Sequence, residues 1–198
     1  LSWVAQRVAA GDYKQHVSSL GSFSDSFNEM IDQLSHYREK MEHISNTDVL
    51  TGTANRRAFN QIIKKLWDKD IPCAIVFIDI DGLKYVNDNY GHDIGDQVLI
   101  QFVDTLNKNS RKNDILVRWG GEEFIMILKI DEVSNLQKIL ESLRKSIESF
   151  NFNTVGHKTC SIGGTIYLEN EDILKTIKRA DEAVYKAKEL GRNKVVIV

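Results

Sequence analysis

Cysteine is nearly absent. The 198 residues hold two, Cys73 and Cys160, each inside an apolar run. Two such residues make neither a disulfide framework nor a zinc site, and they suit a reducing compartment. Long hydrophobic runs are missing too: no apolar stretch reaches the roughly 18 residues that a membrane-spanning helix needs. Nor is there a basic excess, because 26 Lys and Arg stand against 28 Asp and Glu, a net charge of −2. A nucleic-acid polymer is recognised by a basic face, and this balance argues against such a partner. A phosphate ligand must then be held by a few placed cations, by metal ions or by backbone N–H groups. The chain opens at Leu1 with no charged-then-apolar leader. The expectation is the cytoplasmic portion of a longer protein, a sensor anchored in a membrane by an upstream segment.

What is present is an ordinary globular composition, 42% apolar and 27% charged, enough for one domain plus an extra element. The pattern changes near residue 47, giving an expected helical signalling segment over 1–47 and a domain over 48–198. In the first part, residues 1–10 read as a helix stopped by Gly11-Asp12. An extended stretch over 13–17 follows, and Ser24 or Asp25 can cap a second helix. On that helix Phe27, Met30, Leu34, Tyr37, Met41 and Ile44 follow alternating spacings of 3 and 4. Such a seam predicts a dimeric coiled coil, although one amphipathic helix packed on its own domain carries a similar stripe.

Beyond residue 47, strands alternate with helices. Residues 73–78 form a continuous apolar run, the mark of a buried strand. Helical stripes follow at Phe59, Ile62, Ile63, Leu66 and Trp67, at Val98, Leu99, Phe102, Val103 and Leu106, and at Leu136, Ile139, Leu140, Leu143 and Ile147. Residues 115–119 and 124–128 flank Gly120-Gly121 as a hairpin. A strand over 159–167, a helix over 172–190 and a last strand over 194–198 complete the pattern. The class is α/β or α+β, with a mixed sheet.

Two carboxylates, Asp79 and Asp81, end the buried strand, and two more, Glu122 and Glu123, follow the glycine turn. Either pair alone is also what a solvated turn would carry. If the hairpin lies beside the strand, Asp79 and Glu122 converge and suit Mg²⁺, which takes one or two carboxylates plus substrate phosphates. Between the two pairs, the backbone N–H groups at Gly82, Leu83 and Lys84 would open a helix able to receive an anion. Asn87 and Asp96 can read a base edge. Guanine offers two adjacent donors that a carboxylate accepts, and adenine does not, so Asp96 favours guanine.

These residues resemble the GGDEF family of diguanylate cyclases. The motifs are Phe77-Ile78-Asp79-Ile80-Asp81, Leu83-Lys84, Asn87-Asp88, Gly91-His92, Gly95-Asp96 and Arg118-Trp119-Gly120-Gly121-Glu122-Glu123-Phe124. Asp48-Val49-Leu50-Thr51-Gly52 with Asn55-Arg56-Arg57 looks like the family's opening. Ala180-Asp181, Val184-Tyr185, Ala187-Lys188 and Gly191-Arg192-Asn193 look like its closing helix. The resemblance covers about residues 45–198. It implies an α+β fold like the palm of nucleotide polymerases, with a mixed, mostly antiparallel sheet flanked by helices and preceded here by the coiled-coil segment. It implies that two GTP become cyclic di-GMP and two pyrophosphates. Asp79, Glu122 and the backbone carbonyl of Ile80 would hold Mg²⁺ or Mn²⁺, with Glu122 also the base for the 3′-hydroxyl. Asn87 and Asp96 would bind guanine, with His92, Gly82 and Leu83 near the nucleotide. Lys84, Lys188 and Arg192 would hold phosphates.

The reaction needs two facing GTP sites, so the resemblance also implies a homodimer, tethered through the N-terminal helix. Val8-Ala9-Ala10-Gly11-Asp12, Phe27-Asn28-Glu29-Met30 and Leu34 look similar to a HAMP segment, and a plain helical linker remains the alternative. Arg111 and Asp114 match the family's product-inhibition motif, with Arg144 a candidate for the second half of that site. Gly82, Leu83 and Thr53 depart from the family's commoner residues, which would loosen the turn around the phosphates. An inactive module that binds GTP or cyclic di-GMP is the competing function. No charged motif residue is lost, which favours the enzyme.

Overall fold

The structure is a computed structural model that describes residues 2–18, 21–67, 73–130, 133–168 and 171–198. Leu1 and the side chains of Ile44 and Trp67, each part of a predicted helical stretch, lie outside the described residues. The chain divides into two units, Leu1–Asn46 and Thr47–Val198.

In the first unit, helix α1 spans Ser2–Ala9 and helix α2 spans Ser22–Asn46. α2 starts at Ser22, ahead of the predicted caps, and Ser24 is buried in its first turn. Gly11 takes a left-handed φ of 91°, which turns the chain sharply after α1. Asn28 on α2 donates to the Val17 carbonyl and accepts from its N–H, both at 2.9 Å. One side-chain amide thus satisfies both backbone groups of an extended residue, as a neighbouring strand would. Among the described residues of α2, the fully buried apolar side chain is Ile31, which is not on the seam. Of the seam, Met30, Leu34, Tyr37 and Met41 are exposed, while Phe27 is half-buried and stacks on Phe23.

The second unit contains β1 (Ala54–Asn55), α3 (Arg56–Trp67), β2 (Cys73–Ile80), α4 (Leu83–Tyr90), α5 (His92–Asn109), β3 (Ile115–Arg118) and β4 (Glu123–Lys129). After a short 3-10 turn come α6 (Leu136–Ser149), β5 (Asn151–Phe152), β6 (Gly156–His157), β7 (Cys160–Ile166), α7 (Ile173–Glu189) and β8 (Val195–Ile197). Among the described residues these build a six-stranded sheet of order β1-β3-β4-β2-β7-β8 and a small β5-β6 hairpin. The three central pairings are antiparallel and the two outer ones parallel, so the sheet is mixed and mainly antiparallel.

Helices cover both faces. Ala74, Val76, Ile78 and Ile80 of β2 join Val86 of α4, Phe102 of α5 and Leu140 of α6 in one core. Cys73, Ile75 and Phe77 join Phe59 and Ile63 of α3 and Ile177, Ala180 and Val184 of α7 in the other. β2 is buried throughout, which is why its sequence is continuously apolar rather than alternating. Both cysteines are buried, and burial pushes the Cys73 thiol up to about 11.

Helix α7 approaches the sheet more closely than side chains would ordinarily permit. A Cβ on Gly163 of β7 would lie 2.2 Å from the Ala180 carbonyl oxygen and 2.4 Å from the Val184 nitrogen. Glycine there, against the backbone of Ala180, Ala183 and Val184, sets α7 directly on the strand. Asp172 starts that helix, accepting from the Leu174 N–H at 3.0 Å.

Candidate active site

The sheet places the candidate residues at one end. β2 runs two residues beyond the predicted strand end, so Asp79 lies within it, paired with Glu123 of β4 and Ser161 of β7. Period-2 alternation turns Asp79 to the α7 face, where it is 4% exposed. Its Oδ2 lies 2.8 Å from Lys188 Nζ, one helical stretch beyond the Gly163 contact. Ile80 is fully buried, and its N–H donates to the Glu122 carbonyl at 3.3 Å, pinning the hairpin loop to the strand end.

Asp79 and Asp81 take different hydrogen-bond partners. Asp81 accepts from Thr159 Oγ1 at 2.7 Å, from Ser161 Oγ at 2.8 Å and from the Asn193 N–H at 3.1 Å. Its carboxylate is therefore taken up by structure. Glu122 is half-buried and lines the same cavities as Asp79. Burial pushes the Asp79 carboxyl up against the opposing pull of Lys188, and the charge of Asp81 adds to the rise. Burial, then the Asp79 charge, pushes Glu122 up as well, and the same two causes raise Glu123. Like charges gathered in a poorly solvated place are held by cations.

Two adjoining cavities share Asp79, Glu122 and Lys188. One, about 420 Å³, is lined also by Asp81, Gly82, Lys84 and Arg192. The other, about 530 Å³, is lined also by Leu83, Asn87, His92, Leu99, Asp96, Arg118, Gly121 and Glu123. The first thus gathers the predicted phosphate-holding cations, and the second the predicted base readers. Asn87 of α4 lies against Gly95 of α5, where an added Cβ would meet its Oδ1 at 1.8 Å. Gly95 is therefore what lets the amide sit beside Asp96. Gly82 takes φ 78° at the start of α4, a left-handed turn that glycine adopts without strain. This corrects the expectation that Gly82 loosens the turn. Leu83 does not loosen it either, because its side chain is 3% exposed in the core.

The donor set fits a hard divalent cation. It offers carboxylate oxygens and a strand-end backbone, with no thiolate or imidazole among the predicted ligands. Among the described residues no three His, Cys, Asp or Glu side chains gather closely enough to hold an ion alone. Mg²⁺ takes one or two carboxylates and completes its shell with water and substrate phosphate.

Arg111 and Asp114 lie elsewhere. They form a turn in which Asp114 Oδ2 accepts from the Arg111 N–H at 2.8 Å. They line a separate cavity of about 340 Å³ with Ser110, Asn135, Lys138 and Ser142. Arg144 does not complete that site. It is 8% exposed and committed to Glu141, Glu148 and Asn193.

One contributor had no role assigned from sequence. Arg118 donates to the carbonyls of Gly120 at 3.3 Å and Gly121 at 2.8 Å, and to Asp48 Oδ1 at 2.9 Å. Asp48 also accepts from the Thr51 N–H and hydroxyl. Burial opposes ionisation of Asp48, but the bonds from Thr51 and Arg118 outweigh it and hold its carboxyl below the usual value. Arg118 thereby braces the loop that carries Glu122. The motif around the glycines was legible, but its partner stands 70 positions earlier.

Residues 45–194 match the family profile described as "Diguanylate cyclase, GGDEF domain". The chain belongs to the GGDEF family. The GGDEF domain here is 36% identical over 162 residues to diguanylate cyclase DgcM of Escherichia coli K12, covering 80% of this chain and 40% of that protein. It is 38% identical over 173 residues to the response regulator PleD of Caulobacter vibrioides, covering 80% of this chain and 38% of that one. The chain thus spans about two fifths of the length of these curated relatives. Among solved structures, the coiled coil and GGDEF domain of DgcB from Caulobacter crescentus, in complex with c-di-GMP, superposes with a TM-score of 0.80 at 26% identity. That match covers 91% of this chain and all of that one. Diguanylate cyclase SiaD of Pseudomonas aeruginosa, in complex with its activator SiaC, gives a TM-score of 0.75 at 30% identity, covering 89% and 70%.

Proposed function

We propose that the GGDEF domain condenses two GTP into cyclic di-GMP and two pyrophosphates. The observation that carries this reading is the pair of cavities joined at Asp79, Glu122 and Lys188, one lined by cations and one by base readers. Asp96 and Asn87 accept from and donate to the guanine edge, and His92 closes the same cavity. Lys84, Lys188 and Arg192 hold the phosphates and offset the charge of the departing pyrophosphate. Glu122, its carboxyl raised by burial and by Asp79, is placed to take the proton of a 3′-hydroxyl. Asp79, Glu122 and the Ile80 carbonyl are the groups that would hold Mg²⁺ or Mn²⁺. Such an ion, when bound, supplies Lewis-acid activation of the transferring phosphate.

Each domain holds one GTP, so two must face each other. The exposed α2 seam of Met30, Leu34, Tyr37 and Met41 supports a homodimer through the N-terminal helix. The DgcB match supports it too, since it covers more of this chain than the Thr47–Val198 unit alone holds. Arg111 and Asp114 form the product-inhibition site, and cyclic di-GMP is its ligand. The chain then acts as the output portion of a longer sensor. Among the described residues no helix is long and apolar enough to cross a membrane.

Incubation with GTP or ATP, with Mg²⁺ or excess chelator, and mass resolution of products tests the reading. Cyclic di-GMP from GTP with metal alone is expected. Product from ATP at an equal rate, or bound GTP with no product, contradicts it and favours another cyclase or a binding module.

A further inference from the structure

Helix α7 ends in an unusual reversal. Gly191, Arg192 and Asn193 are successive residues with positive φ, at 106°, 62° and 47°. Glycine adopts such a conformation freely, whereas arginine and asparagine do so at a cost that the surroundings must meet. Yet Arg192 lines the cation-rich cavity beside Asp79 and Lys84.

The restraint sits on the next residue. The Asn193 N–H donates to Asp81 Oδ2 at 3.1 Å. Its Nδ2 donates to Glu148 Oε1, and its Oδ1 accepts from Arg144 Nη1, both at 2.6 Å. Arg144, itself 8% exposed, is fixed by Glu141 and by the second oxygen of Glu148, each at 2.9 Å. Asp81 is anchored in turn by Thr159 and Ser161. Both ends of the Asn193 side-chain amide are thus engaged by α6, through Glu148 and Arg144, and its backbone N–H by Asp81 just beyond β2. Asparagine tolerates the left-handed region and presents both a donor and an acceptor, which no other residue of its length does.

We propose that Asn193 is a positioning residue. With Asp81, Arg144 and Glu148 it locks the left-handed turn that sets Arg192 at the phosphate cavity. The inference rests on the GTP reading above, in which Arg192 holds phosphate. Asn193 itself touches no substrate and acts through Arg192.

The test is calorimetric titration of the whole chain with 3′-deoxy-GTP, which lacks the attacking hydroxyl and cannot be consumed. Four proteins are compared: the parent, Asn193→Gly, Arg192→Ala and the double variant. Glycine keeps the backbone conformation and N–H while removing only the amide bonds. Asn193→Gly is expected to weaken binding about tenfold in the parent and less than about twofold in the Arg192→Ala background. An equal loss in both backgrounds, or no loss in the parent, overturns the positioning role. Unchanged binding by Arg192→Ala overturns the phosphate role of Arg192 and this inference with it. A parent that does not bind 3′-deoxy-GTP overturns the GTP reading instead. Should Asn193→Gly fail to fold, Glu148→Ala at the surface of α6 takes its place, with a loss of about threefold expected only when Arg192 is present. Equal losses in both backgrounds refute the proposal by that route.

Discussion

The contact between Gly163 and α7 makes a sharp quantitative prediction. In Gly163→Ala the new methyl would stand 2.2 Å from the Ala180 oxygen, 2.4 Å from the Val184 nitrogen and 2.9 Å from the Ala183 carbonyl carbon. All three are backbone atoms, so no side chain can swing away. Van der Waals contact requires α7 to recede by about 1 Å. Overpacking of this kind costs about 1–3 kcal/mol. The functional effect is larger in proportion, because α7 carries Lys188, whose ammonium meets Asp79 at 2.8 Å, and leads directly to Arg192. A displacement of about 1 Å at reacting groups can lower a rate about a hundredfold. Gly164 is the control. A Cβ there meets the Leu140 Cδ1 at 2.7 Å, the far end of a flexible side chain on the opposite face. Urea unfolding followed by circular dichroism, with GTP turnover on the same samples, measures both effects. Gly163→Ala should lose stability and about two orders of magnitude in rate, and Gly164→Ala should keep most of its rate. A Gly163→Ala protein as stable and as active as the parent refutes the argument that close docking of α7 positions Lys188.

Gly95→Ala should drive the Asn87 amide off its place, since the methyl meets Oδ1 at 1.8 Å. The expected result is a raised KM for GTP and weakened preference over ATP, read from steady-state kinetics with both nucleotides. Glu122→Gln should abolish turnover while leaving the thermal melt unchanged, and full activity would remove Glu122 from the mechanism. Arg111→Ala should raise the cyclic di-GMP concentration needed for half-inhibition, and an unchanged inhibition curve would refute the Arg111–Asp114 site. Asp48→Asn should cost about 1–2 kcal/mol at neutral pH through its bonds to Thr51 and Arg118. The folded Asp48 carboxyl lies below its ordinary value of 3.8, so this stabilisation is present above that value and fades as pH falls through the lower folded one. The gap between parent and variant in urea unfolding should therefore narrow on acidification, and a constant gap contradicts the linkage.

How much of this was legible depended on distance along the chain. The helices α5 and α6 announced themselves because their apolar periodicity runs over many residues, and the strand β2 because its apolar run is unbroken. The two-residue strands β1, β5 and β6 are too short to carry a period. Asp79, Glu122, Asn87 and Asp96 stood out because polar groups beside apolar runs need a chemical reason. That Asp79 and Asp81 take different partners was not readable, because it depends on Thr159 and Ser161 arriving from β7. Asn193 was hidden for the same reason, with partners 49 and 112 positions away. The α2 seam was plain as a pattern, yet only its exposure separates it from the face that buries Ile31.

If two GTP-loaded domains react with each other, turnover depends on their encounter. The initial rate of cyclic di-GMP formation, at saturating GTP and Mg²⁺, should be followed over a wide range of protein concentration. The expected rate is steeper than linear at low concentration and becomes linear once the α2 dimer is populated, with Met41→Asp shifting the crossover to higher concentration. A rate strictly proportional to protein from the lowest concentration, unchanged by Met41→Asp, would contradict assembly through the α2 seam.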